Sequence, residues 1–164
     1  MIKRLLCLML IFLLTGCDTV NAEYRVKYVQ DGDSMIICCE RGNGFTIRLK
    51  DIDAPERDQP YAEKSRAYIQ ELVMGKPVKL VGGKRDKYGR LLVDLIVDGE
   101  SVNEMMISEG MAWRWRYSKS KKLKQLEDSA KEKKKGLWSL PENQRMEPWE
   151  WRKKHIRRGS WKGR

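Results

Sequence analysis

Asp31-Gly32-Asp33-Ser34 and, further on, Arg48-Leu49-Lys50-Asp51-Ile52-Asp53-Ala54-Pro55-Glu56 bracket the most informative part of the chain. Between them, Met35-Ile36-Ile37-Cys38-Cys39 and Phe45-Thr46-Ile47-Arg48-Leu49 are runs of strand formers, and Arg41-Gly42-Asn43-Gly44 is turn chemistry, so a hairpin is expected. Asp33 and Asp53 then fall at strand ends, with Glu56 just beyond. A hard divalent cation takes several oxygen ligands, and carboxylates at strand ends can converge on one without burying an unpaired charge. Arg48 adds a planar guanidinium suited to phosphate. Either half alone reads more simply as a turn or a punctuated loop; the two together make a metal and phosphate set.

Working outward, Tyr24 to Gln30 alternates Tyr24, Val26 and Tyr28 against Arg25 and Lys27, which predicts a strand leading into the Asp-Gly-Asp turn. After Glu56 the period changes. Ser65, Ile69, Leu72 and Val73 share one face of a helix expected between Tyr61 and Gly75, with Gly75 as its C-terminal cap. Pro77 to Val81 and Arg90 to Val97 are two further strands, the second ending in the tight turn Asp98-Gly99. Ser101-Val102-Asn103-Glu104 has the form of a capping box opening a short helix that Gly110 ends. A lysine-rich helix from Lys119 to Lys135 presents Leu123, Leu126 and Ala130 on a narrow apolar face before Gly136. Five strands and three helices of this kind give an α+β class.

At 164 residues with 41% hydrophobic content, the chain supports one domain and one core. Its 34 basic against 23 acidic residues give a formal charge of +11, which attracts polyanions. Nucleic acid is the first candidate, although charge alone does not separate it from anionic lipid or cell-wall polymer. Trp113-Arg114-Trp115-Arg116-Tyr117 interleaves rings and cations that can stack on bases and hold phosphates, or can simply cover the domain. The segment 141–164 reads as a basic, partly ordered tail, docked through Trp149 and Trp151 and mobile from Lys153 to Arg164.

Met1-Ile2-Lys3-Arg4 and the apolar run Leu5 to Leu14 form an export signal over residues 1–22, too short to span a bilayer as a mature helix. Leu14-Thr15-Gly16-Cys17 resembles a bacterial lipobox, so Cys17 is the expected lipid anchor and the protein an exported, membrane-anchored lipoprotein. Ordinary cleavage after Val20-Asn21-Ala22 is the competing reading. Asp18 resembles the inner-membrane retention signal of some lipoproteins. Cys38 and Cys39 are strand neighbours pointing to opposite faces, so neither a structural disulfide nor a zinc site is expected.

Asp31-Gly32-Asp33-Ser34, Arg48-Leu49, Ile52-Asp53-Ala54-Pro55-Glu56 and Asp86-Lys87-Tyr88-Gly89-Arg90, in this order, resemble the staphylococcal nuclease family. The resemblance runs from about Tyr24 to Trp138, taking in Gly110-Met111-Ala112 and Gly136-Leu137-Trp138, and implies a five-stranded OB-fold-type barrel with three α-helices over residues 23–140. It implies Ca²⁺ as cofactor, held by Asp33, Asp53 and the backbone carbonyl of Ala54. Glu56, Arg48 and Arg90 match the catalytic residues: the glutamate that orients or deprotonates water, and the two arginines that grip phosphate. Tyr88 and Lys87 match side chains lining the nucleotide site, and Tyr117, from the stretch of interleaved rings and cations, is a further expected substrate contact. The implied reaction is sugar-nonspecific endonucleolytic hydrolysis of DNA and RNA to 3′-phosphate and 5′-hydroxyl ends, by a monomer without a protein partner. Ser34 in place of threonine, Val93 in place of a small residue, and a shorter segment after Glu56 depart from the family pattern. A noncatalytic nucleic-acid-binding OB-fold lipoprotein is the alternative, as is a surface interaction lipoprotein.

Overall fold

The computed structural model describes residues 24–39 and 42–156. The expected export signal, the lipobox at 14–17 with Cys17, and residues 157–164 lie outside the described residues. Strand β1 (Tyr24–Val29), β2 (Ser34–Cys39) and β3 (Phe45–Leu49) form an antiparallel meander, with Tyr24 opposite Cys39 and Ser34 opposite Arg48. A two-residue strand, β4 (Ile52–Asp53), and helix α1 (Ala62–Val73) follow. Strand β5 (Pro77–Arg85) pairs with β1, and β6 (Leu91–Val97) pairs with β5. Parallel pairing of β3 with β6, Ile47 opposite Leu91 and Leu49 opposite Val93, closes the sheet into the expected five-stranded barrel.

Alternation decides which residues fill it. Met35 and Ile37 of β2, Ile47 and Leu49 of β3, and Val93 and Leu95 of β6 are two apart on their strands and fully buried. Each such aliphatic chain contributes about 1.5–3 kcal/mol on leaving water. Asp98 and Gly99, at φ 52° and 84°, make the expected tight turn from β6 into β7 (Glu100–Ser101). Helix α2 (Val102–Ser108) then opens on its cap, Ser101 Oγ accepting from the Glu104 N–H, and plugs the barrel with Val102, Met106 and Ile107. From the same helix Asn103, itself buried, donates to the carbonyls of Lys50 (2.9 Å) and Val93 (3.1 Å) and accepts from the Leu95 N–H. That side chain pins the turn between β3 and β4.

Strand β8 (Trp113–Arg114) pairs with β4, setting Trp113 opposite Asp53. Trp113 belongs to a second buried cluster with Ala130, Leu137 and Trp138, the two indoles meeting edge to face. Helix α3 (Lys121–Glu132) supplies Ala130, and its Glu127 accepts from the Arg114 N–H at 2.9 Å. Gly110 and Gly136 touch here at positive φ, and a Cβ on Gly110 would lie 2.3 Å from the Lys135 carbonyl oxygen. Backbone cannot yield as a side-chain tip can, so Gly110→Ala combines left-handed strain with overpacking, about 3 kcal/mol in all. Thermal unfolding should show a midpoint lower by roughly 6–12 °C; an unchanged midpoint would refute the close approach.

Past residue 140, where a partly ordered tail was expected, the chain stays packed on this unit through Trp149 and the Met146 carbonyl. After two short 3₁₀ turns, helix α4 (Pro148–Ile156) makes a fourth α-helix among the described residues, where three were expected. Pro148 occupies the first helical position, Glu150 lies in the first turn and Lys153, Lys154 and His155 in the last. Trp149 packs on the Trp113–Trp138 cluster, and Trp151 stacks on His155 at 4.1 Å between ring centroids. Lys153 therefore continues a helix where a mobile segment was expected to begin. Cys38 is a half-buried free thiol.

Candidate active site

Asp33 ends the turn before β2, and the glycine before it decides where that turn lies. A Cβ on Gly32 would come within 2.1 Å of Ser65 Oγ and 2.8 Å of Ala54 Cβ, so only glycine lets the turn rest against α1 and the segment after β4. Asp33, 4% exposed, is then fixed on every side: its Oδ1 accepts from Ser34 Oγ (2.8 Å) and pairs with Arg48 Nη1 (2.5 Å), and its Oδ2 accepts from the Ala54 N–H (2.9 Å). Arg48 projects from β3, and its Nη2 donates to Asp53 Oδ1 at 2.8 Å and to the Ile52 carbonyl. One guanidinium thus carries both buried carboxylates.

Asp53 is 1% exposed. Burial raises its pKa and the neighbouring Asp33 adds to this, while the arginines oppose both. Burial likewise raises Glu56, countered chiefly by Arg152. Arg48 is held above its ordinary value, burial being outweighed by Asp33 and Asp53. Asp31 is pushed up to about 7 by burial and by Asp33, and its Oδ1 accepts the Asp33 N–H at 3.0 Å. Asp33 thus raises the pKa of Asp31, Asp53 and Glu56 beside it, and carboxylates crowded in this way form a place where added positive charge is welcome. Their donors are all oxygens, which fits a hard divalent cation and not zinc. Ala54, the third expected ligand, lies beside Asp53 with its N–H turned to Asp33.

Arg90 joins this network through Ser34, its Nη1 lying 3.2 Å from Ser34 Oγ. Asp86 orients it, accepting from Nε (2.9 Å) and Nη2 (2.8 Å), and these bonds hold the Asp86 carboxylate below its ordinary pKa against the effect of burial. Tyr88 is exposed beneath the guanidinium of Arg90 and the ammonium of Lys87, at 5.4 and 5.0 Å from its ring centre. Tyr117 is exposed too, edge to face with Trp115 and under Arg116. No hydrogen bond or ion pair among the described residues ties Tyr117 to the carboxylates. Of the residues expected in the site, Asp33, Arg48 and Asp53 meet directly, Glu56 is joined to Asp53 through Arg152, Arg90 arrives through Ser34, and Lys87 and Tyr88 flank Arg90.

A model of the family described as staphylococcal nuclease homologue matches residues 46–140. The chain belongs to the staphylococcal nuclease family. Among its relatives, a protein named uncharacterized endonuclease from Haemophilus influenzae is 35% identical over 149 residues, covering 89% of this chain and 82% of that protein. Another so named, from Escherichia coli O157:H7, is 38% identical over 130 residues, 78% of this chain and 83% of its own. A micrococcal nuclease from Shigella flexneri is 33% identical over 146 residues, 80% and 82%.

Within this nuclease-family site two residues escaped the sequence reading. Arg152 of α4 donates from Nη2 to Asp53 Oδ2 (2.7 Å) and from Nη1 to Glu56 Oε1 (2.5 Å) and Asp53 Oδ1 (3.2 Å). Gln59, buried, accepts the Glu56 N–H (2.8 Å) and donates to the Met146 carbonyl (2.8 Å). A signal for α4 was present, since Pro148 followed by Glu150 and then by Lys153, Lys154 and His155 is helix punctuation. Trp149 and Arg152, three apart, then share a face.

Proposed function

We propose that the protein is a Ca²⁺-dependent endonuclease that hydrolyses phosphodiester bonds of DNA and RNA, leaving 3′-phosphate and 5′-hydroxyl ends. The observation that carries this is the network of Asp33, Arg48 and Asp53, to which Arg152 joins Glu56 and Ser34 joins Arg90. Held by Asp33, Asp53 and the Ala54 carbonyl, calcium supplies polarisation of a phosphoryl oxygen and neutralisation of developing charge. Arg48 and Arg90 offer planar donor forks to the phosphate oxygens as attack builds charge on them. Glu56 accepts a hydrogen bond from the attacking water and orients it in line with the leaving oxygen. Lys87, Tyr88 and Tyr117 offer cationic and stacking contacts to flanking nucleotides.

Plasmid digestion followed on a gel tests the reading. Cleavage with calcium that chelator abolishes is the expected result; a folded protein that shifts DNA without cutting it would replace the enzyme with a binding module. The protein is further proposed to act as a monomer, exported and anchored through Cys17. Mass spectrometry of the mature amino terminus should find an acylated Cys17, and a mature chain starting at a free Glu23 would refute the anchor.

A further inference from the structure

The C-terminal helix reaches the site from nearly a hundred residues away in sequence, and two contacts make its approach specific. Gln59 bridges the Glu56 N–H and the Met146 carbonyl, so the backbone of Glu56 and the chain entering α4 are tied together. One turn before Arg152, Trp149 packs on the cluster of Trp113 and Trp138, and Trp113 is paired with Asp53 across β4 and β8. The helix is thereby keyed to the strand pair that carries Asp53 and to the loop that carries Glu56. From this platform one guanidinium spans both carboxylates, with Nη2 on Asp53 and Nη1 shared between Asp53 and Glu56.

A glutamate that orients water must hold one rotamer, and a carboxylate on three rotatable bonds does not do so unaided. Among the described residues no hydrogen bond joins Glu56 to Asp53 directly, and the link between them runs through Arg152. We infer that Arg152 is a positioning residue of the reaction: it anchors the Glu56 carboxylate to Asp53 so that one oxygen stays turned to the attacking water. This rests on the nuclease reading above. Lysine in its place reaches one carboxylate at a time, because a point ammonium lacks the fork. Arg152 keeps 34% of its side chain exposed, so its removal opens no sealed core.

The test is a double-mutant cycle on the full-length protein, joining Arg152→Met with Glu56→Gln, and Arg152→Lys run beside it. Arg152→Met should lower kcat roughly a hundredfold, the scale of a misplaced reacting group, with KM changed less than about threefold. Arg152→Lys should fail to restore kcat. In the Glu56→Gln background, Arg152→Met should cost nothing further, since there is no carboxylate left to orient. Losses that multiply would overturn the inference and place Arg152 on the phosphate or in the scaffold. Calorimetric titration with calcium gives a readout independent of turnover: affinity in Arg152→Met should equal or exceed that of the native protein, because a cation is removed from Asp53. Weaker affinity would overturn the inference in favour of support for the metal ligands. Should Arg152→Met fail to fold, Arg152→Lys carries the same cycle. A native protein without cleavage overturns the nuclease reading, whereas an active native protein matched in kcat by Arg152→Met overturns this inference alone.

Discussion

Asp53→Ala is expected to lower the rate of phosphodiester cleavage at saturating calcium by roughly a thousandfold or more. The figure follows from losing several kcal/mol of metal-supplied transition-state stabilisation, at about 1.4 kcal/mol per tenfold in rate. Asp53 is one of two buried carboxylates carried by the same arginine, so its loss halves the anionic oxygen set available to the cation. The fold should survive. Arg48 keeps Asp33 and Arg152 keeps Glu56, so neither guanidinium is left buried without a counter-charge. Calorimetry should show calcium affinity collapsing together with activity, while the unfolding midpoint of the metal-free protein moves little. Native calcium affinity and turnover in purified Asp53→Ala would place the metal elsewhere.

The second large effect belongs to the arginine pair. Arg48→Lys and Arg90→Lys should each lower kcat/KM by roughly 10²–10³, the range seen when one preorganised donor to a developing oxyanion is lost. Arg48 uses its fork to span Asp33, Asp53 and the Ile52 carbonyl, which fixes its plane before substrate arrives. Asp86 does the same for Arg90, whose Nε and Nη2 converge on the Asp86 Oδ2. Lysine preserves the charge and loses both the plane and the second donor. Because long-range attraction survives, the loss should persist at low ionic strength, where screening is weakest. Near-native kinetics in either variant would reduce that arginine to a structural role.

The barrel was legible because its evidence is local. Alternation in β2, β3 and β6 marks the buried face two residues at a time, and the Asp98-Gly99 turn and Ser101 cap announce themselves within four residues. Strand β5 runs to Arg85, beyond the expected Val81, because the register shifts between Gly82 and Lys84 and the ladder resumes past a glycine pair that reads as a stop. The pairing of β4 with β8 left no trace at all. Two-residue strands have no period, and their hydrogen bonds join positions some sixty residues apart. The grouping of Asp33, Arg48, Asp53 and Glu56 in the candidate site was readable because three of them lie within nine residues of each other and the fourth across one hairpin. Arg152 was not, since it stands in a basic run where every cation looks alike until a helix selects one of them.

Gln59 gives the molecule a mechanical asymmetry. Tension applied beyond α4 is shared by the Trp149 seat, by the Met146–Gln59 link to the backbone of Glu56, and by Arg152, which holds the side chains of Asp53 and Glu56. Tension applied at the amino end is borne instead by the ladders that join β1 to β2 and to β5. A tether ahead of Tyr24 leaves the carboxylates unloaded, while the same tether after Ile156 pulls directly on the loop that must hold water still.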